Sequence, residues 1–280
     1  MSNKRLVVLT SLAMIAFAGN SLLCRVALKD TGIDAASFTT IRLASGAAVL
    51  WLLVRAGRGG SAGAGNWISA LALFIYAAGF SFAYITLTAA TGALLLFGAV
   101  QAAMIGYGVF NGERLSRPQL AGLLLACGGL VGLQLPGISA PPLYGSLLML
   151  TAGIAWGIYS LRGKNAGDPM KITAGNFLRA VPVSLALSLI MFDTASVDRA
   201  GIWYAVLSGA LASGIGYAIW YAALPALKAA SAATVQLSVP VIAAVGGIVF
   251  LAEPITIRLA LASVAILGGI ALVILERRPT

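Results

Sequence analysis

The chain has 280 residues, of which 60% are hydrophobic and only 9% charged, far below the roughly 25% charged residues of a soluble domain, so a water-soluble fold is excluded. Its net charge of +10 invites a nucleic-acid partner, but that needs cations gathered on one solvent face, and here they fall between apolar runs, where they set topology instead. With no His, and with Cys24 and Cys127 both inside apolar runs, no metal site, disulfide framework or cofactor is expected.

A helix needs about 20 apolar residues to cross the hydrocarbon core. Ten such runs can be placed: 6–28, 35–55, 67–87, 90–111, 118–135, 142–162, 171–191, 200–223, 229–251 and 257–275. Alternating ten-residue segments of the outer-membrane barrel kind are absent, so the expected class is an all-α integral membrane protein. The first run, with Lys4-Arg5 before it and Ala16-Phe17-Ala18 within it, imitates a secretory signal. Retention is the better reading, because it leaves five runs plus five. This run also carries Asn20 and Ser21 at membrane depth.

Arg42 lies in the second run, and an intramembrane Arg is a functional residue by default, with snorkelling or a carbonyl contact as the alternative. The Gly-rich stretch 57–66 has no Gly-Lys-Ser/Thr and reads as a linker. In the third run Tyr76, Phe80 and Tyr84 recur every four residues and share a helix face, although Tyr84 also suits an interfacial anchor. The fourth run holds Gln101 at its middle and ends at Glu113, beside Arg114.

Pro141-Pro142 divides the chain into 1–137 and 142–280. In the second half, the sixth run carries Trp156 and Tyr159, the seventh Arg179, and the eighth Tyr217, Trp220 and Tyr221 on one face. The ninth has Gln236, Ser238 and Pro240 in its interior and ends near Glu253. Pro240 removes a helix hydrogen bond and is a candidate hinge. An amide offers two donors and an acceptor, which suits a zwitterion, so Gln101 and Gln236 line a pathway or bond a neighbouring helix. Glu113 and Glu253 are expected in structural or gating ion pairs. Gly108-x-x-x-Gly112, Gly128-x-x-x-Gly132 and Gly153-x-x-x-Gly157 are packing devices.

The two halves match. A shift of 140 residues lays 89–113 on 229–253 without a gap, with Gly106 on Gly246, Phe110 on Phe250 and Glu113 on Glu253, and continues to Gly128-Gly129 on Gly268-Gly269. Phe80 falls on Trp220 in the same frame, and Arg42 is the counterpart of Arg179. With the N-terminus in the cytoplasm, twelve of the eighteen Lys and Arg face inward, so both termini are expected there. Five helices per half then force the second half to cross in the opposite sense, the inverted repeat on which alternating access rests. Such a chain is expected to be a carrier of a small molecule in the lipid bilayer, acting as a monomer. An enzyme would need a nucleophile, metal or acid-base pair, and none is legible.

Five plus five helices, twin Phe-x-x-Glu ends, paired Gly-Gly, Arg42 with Arg179, and Trp156-Gly157 together resemble the ten-helix exporters of the drug/metabolite transporter superfamily, and within them the bacterial aromatic amino acid exporters. That resemblance covers the whole chain and implies export of aromatic and other neutral amino acids across the inner membrane. An exporter of cationic drugs or other small metabolites is the alternative. The usual Trp-Gly of the first helix reads Ala18-Gly19-Asn20, so the pocket shape differs there.

Overall fold

Helix starts follow from capping chemistry. A side-chain oxygen of Ser2, Asp34, Asn66, Thr88, Ser116, Asp168 or Asp198 accepts from a first-turn backbone N–H of the helix that follows it, and Ser116 with Gln119 forms a capping box. The computed structural model describes residues 2–57, 64–112, 114–137, 140–163, 168–227 and 235–275. Glu113 and residues 229–234 of the ninth run lie outside the described residues.

The helices are α1 (Asn3–Asp30), α2 (Ala35–Ala56), α3 (Trp67–Tyr84), α4 (Ala89–Phe110), α5 (Arg117–Gln134), α6 (Leu143–Gly163), α7 (Pro169–Ile190), α8 (Arg199–Ala223), α9 (Ser238–Leu251) and α10 (Ile257–Leu275). Eight of them are long and apolar enough to cross a membrane. The other two are α5, whose ends are diluted by Arg117, Gln119 and Gln134, and α9, which is shorter. Among the described residues there is no strand.

Packing follows a regular exchange. The pairs α3 with α6 and α1 with α8 are counterparts when each helix is replaced by the one five places along, as are α4 with α6 and α1 with α9, and α2 with α8 and α3 with α7. The pairs α2 with α7, α4 with α9 and α5 with α10 map onto themselves.

The α5–α10 interface is closed by two glycines. A Cβ on Gly122 would meet the Gly269 carbonyl and Leu272 Cβ at 2.9 Å, and one on Gly269 would meet the Gly122 carbonyl and Ala126 N at 2.7 Å. Gly153 and Gly157 likewise admit α4, through Ala99 and Ala103. A Cβ on Gly128 or Gly132 would meet nothing within 4 Å, so that predicted packing pair faces away from the bundle and Gly129, against Ala265 and Ile266, serves instead. Gly122→Val is therefore expected to destabilise the protein by about 1–3 kcal/mol through overpacking. Gly128→Val should leave the thermal midpoint in detergent unchanged, and equal midpoints for the two variants would contradict this packing.

Two helices depart from the continuous runs expected of them. Leu207–Ile215 of α8 is a π-helix, in which Gly209 lets the Arg42 carbonyl and Ser45 hydroxyl of α2 approach its backbone. In the ninth run the helical residues 235 and 236 are separated from α9 by a turn at Leu237. Pro240 sits in the first turn of α9, where its missing N–H costs no hydrogen bond. The break thus falls between Gln236 and Pro240 rather than at a mid-helix kink.

Outside the membrane-spanning segments, Asp34 ties the start of α2 to the link before α8, accepting from Ser196 N at 3.0 Å. Partial burial pushes this carboxyl up, but hydrogen bonds from Ser37, Ser196 and Ala36 outweigh it and hold it below the usual carboxylate range. Its stabilising contribution is present at neutral pH and is lost only as pH falls through that lowered value.

Candidate functional site

The aromatic face expected on α3 is real contact: Tyr76 and Phe80 rings lie 5.6 Å apart, and Phe80 and Tyr84 lie 4.7 Å apart, edge to face. From Tyr76 the chain of rings passes to Trp156 of α6 at 4.7 Å and then to Tyr217 of α8 at 5.3 Å. Tyr159 stacks on Trp156 at 5.4 Å. Phe17 of α1 joins Tyr217 at 5.8 Å to Trp220 at 6.1 Å, and Phe177 of α7 meets Tyr217 at 6.0 Å. Seven aromatic residues singled out in the sequence thus form one connected cluster spanning both halves. Phe17 and Phe177 complete it, and the sequence offered no signal for either.

Burial differs along the cluster. Phe80, Tyr84 and Phe177 are fully enclosed, whereas Trp156 and Phe17 are half-buried. Tyr84, 0% exposed, is a core residue rather than an interfacial anchor. Its ring occupies the space a Cβ on Gly92 would need.

A polar chain is threaded through the rings. Ser208 Oγ donates to Asn20 Oδ1 at 2.6 Å, and Asn20 Nδ2 donates to the Tyr76 hydroxyl at 3.5 Å. Arg42 Nη2 donates to the same hydroxyl at 2.9 Å. The guanidinium lies 4.8 Å from the centroid of the Phe80 ring and 5.2 Å from that of Tyr76, within cation-π range. Arg42 is only 2% exposed.

Its counterpart Arg179 behaves differently. Nη1 donates to the Ala64 carbonyl at 3.0 Å and to the Gly175 carbonyl at 2.9 Å, binding the link before α3 onto α7. Gly175 is what lets the Ala64 carbonyl come so close. Asn176, unnoticed in the sequence, reinforces this attachment by accepting from Asn66 N at 2.9 Å and donating to the Tyr159 hydroxyl at 3.5 Å. The carbonyl contact considered for both arginines describes Arg179 alone.

Glu253 is tied across the chain. Arg25 Nε donates to Glu253 Oε1 at 3.0 Å, while Arg25 Nη1 donates to the Tyr84 carbonyl at 2.9 Å and the Ile85 carbonyl at 3.0 Å. The second carboxylate oxygen accepts from Ala89 N at 2.8 Å. The end of α1, the α3–α4 link and the end of α9 are therefore fastened together at one end of the bundle. Arg258, beside Glu253 in the sequence, instead donates to the Leu135 carbonyl.

Among the described residues no hydrogen bond joins the remaining candidates to the cluster. Gln101 is buried on α4, and Gln236 and Ser238 are half-buried where the ninth run breaks. Ser238 Oγ donates to the Val235 carbonyl at 2.7 Å, closing that turn. Two cavities also lie elsewhere, one between α4, α5 and α10 and one between Trp51 of α2 and Val181 of α7.

A multi-pass helical membrane protein with buried aromatic and polar side chains gathered between its two halves is the class these observations define. The EamA-like transporter family model matches residues 143–275. An uncharacterized protein of Pseudomonas aeruginosa is 56% identical over 99% of this chain and 97% of its own length. An uncharacterized transporter of Archaeoglobus fulgidus is 26% identical over 96% of this chain and 97% of its own, and one of Bacillus subtilis is 26% identical over 56% and 57%. The chain belongs to the EamA-like transporter family, and so to the drug/metabolite transporter superfamily. A crystal structure with 19% identity matches 99% of this chain and 100% of its own with a TM-score of 0.69, a likeness of fold alone.

Proposed function

We propose that this membrane transporter exports aromatic and other neutral amino acids across the bacterial inner membrane by alternating access. On this reading, 1–137 and 142–280 are inverted five-helix repeats, all ten helices cross the bilayer, and both termini are cytoplasmic. Support for the inversion comes from the ungapped sequence match and from helix contacts that map onto themselves under a five-helix exchange. The observation that carries the substrate class is the ring chain from Tyr84 to Trp220 through Trp156, with Asn20, Tyr76 and Arg42 threaded through it. Flat apolar walls with a few placed donors suit a planar side chain attached to a zwitterion. A cationic drug fits less well, because Arg42 places a positive charge inside the cluster.

The Arg25–Glu253 tie fastens one end, so this conformation is closed there. In the inverted frame that end faces outward. Liposomes containing the purified protein should move labelled Phe, Trp or Thr faster than empty vesicles. Equal fluxes with and without protein across an amino acid panel would overturn the assignment.

A further inference from the structure

Arg42 has an unspent donor. Its Nη1 is buried and has no hydrogen-bond partner, whereas Nη2 donates to Tyr76. The Tyr76 hydroxyl accepts twice, from Arg42 and from Asn20, so its own proton remains to be given. Among the described residues no hydrogen bond takes that proton, and no carboxylate pairs with Arg42; the pairs present are Arg25–Glu253 and Lys171–Asp168.

A buried guanidinium without a counter-ion is costly in a low-dielectric interior, and an unpaired donor on it adds to that cost. Helix packing does not require it. The equivalent Arg179 is satisfied by backbone carbonyls, and a structural Arg42 could have been satisfied in the same way. Instead its position is enclosed by π faces and by a hydroxyl already saturated as an acceptor. Two donors are thus left without an acceptor, Arg42 Nη1 and the Tyr76 hydroxyl proton.

We propose that Arg42 Nη1 and the Tyr76 hydroxyl proton together hold a carboxylate of the transported solute. This rests on the carrier reading above and deepens it: the cargo must carry a free carboxylate, with its apolar part against Phe80 and Trp156. Charge-assisted bonds of this kind are the strong ones and distinguish an acid from its amide. Asn20, held by Ser208, and Arg42 Nη2 keep the Tyr76 oxygen occupied, which leaves the hydroxyl as a donor toward the ligand.

The test is a binding series on the purified full-length protein, read by tryptophan fluorescence and thermal shift. The probes are L-phenylalanine, 3-phenylpropionate, L-phenylalaninamide and phenethylamine. At least one of the two carboxylates should bind, and the amide and amine should bind about ten- to a hundredfold more weakly, the range of a lost bond to a charged group. Tyr76→Phe keeps the ring and should narrow the gap between acid and amide. Arg42→Gln should abolish it, and the wild-type series stands even if that variant fails to fold. Equal binding of the best acid and of the amide and the amine, or no binding by either carboxylate, overturns the proposal. Binding of 3-phenylpropionate without transport of any amino acid would instead sink the amino acid assignment and leave the carboxylate anchor standing.

Discussion

Glu253→Gln should open the fastened end of the bundle. The carboxylate uses both oxygens at once, one for Arg25 and one for the Ala89 N–H. An amide has a single acceptor oxygen, so it can satisfy one partner only while turning a donor toward the other. Both side chains of the pair are buried, and removing one member of a buried pair costs about 3–5 kcal/mol because the remaining charge is stranded. Arg25 keeps the Tyr84 and Ile85 carbonyls, which places the expected loss at the lower end of that range.

If the tie exists only in this conformation, a loss of about 3 kcal/mol shifts the balance with the opposite-facing state by roughly two orders of magnitude. A native reporter stands one residue away. Cys24 is fully buried, and Cys127 is exposed. In a Cys127→Ser background, Cys24 should resist alkylation in the parent and react in the Glu253→Gln variant. A double replacement, Arg25→Met with Glu253→Leu, should cost less than the two single changes added together. Unchanged Cys24 protection in Glu253→Gln would show that the tie does not close this end.

Part of this arrangement was legible in the sequence, for identifiable reasons. Helix starts carry their caps in the residue type, so Asp34, Asn66, Ser116 and Asp168 mark boundaries before any packing is known. The four-residue spacing of Tyr76, Phe80 and Tyr84 fixes a shared face, and these rings do touch. Phe17 and Phe177 stand alone on apolar helices, and a solitary aromatic there looks the same whether it faces lipid or the interior. Arg25 reads as a charge at a helix end because its partner lies 228 residues away. The twin arginines read alike, and only the approach of the Ala64 carbonyl to Gly175 separates their roles. The π segment of α8 is invisible because Gly, Ser and Ala fit an α-helix or a π-helix equally well.

Trp156 is where the largest loss of transport is expected. Its ring meets Tyr76 of α3, Tyr159 of its own helix and Tyr217 of α8, so it joins the two aromatic groups that the sequence placed in separate halves. It is also half-buried where most of the cluster is enclosed, which leaves part of its surface available to a ligand. Trp156→Ala removes three ring contacts, each worth about 0.5–1.5 kcal/mol beyond area burial. Trp156→Phe keeps an aromatic face with a smaller reach. The alanine variant should therefore lose saturable amino acid transport, with affinity weakened roughly tenfold or more, while the phenylalanine variant retains a measurable fraction. Size-exclusion profiles and thermal midpoints separate lost transport from lost folding, since α6 still packs on α4 through Gly153 and Gly157 and on α3 at Gly79. A folded Trp156→Ala protein with parental KM and maximal rate would mean that the cargo passes elsewhere, and that the ring junction only holds the two halves together.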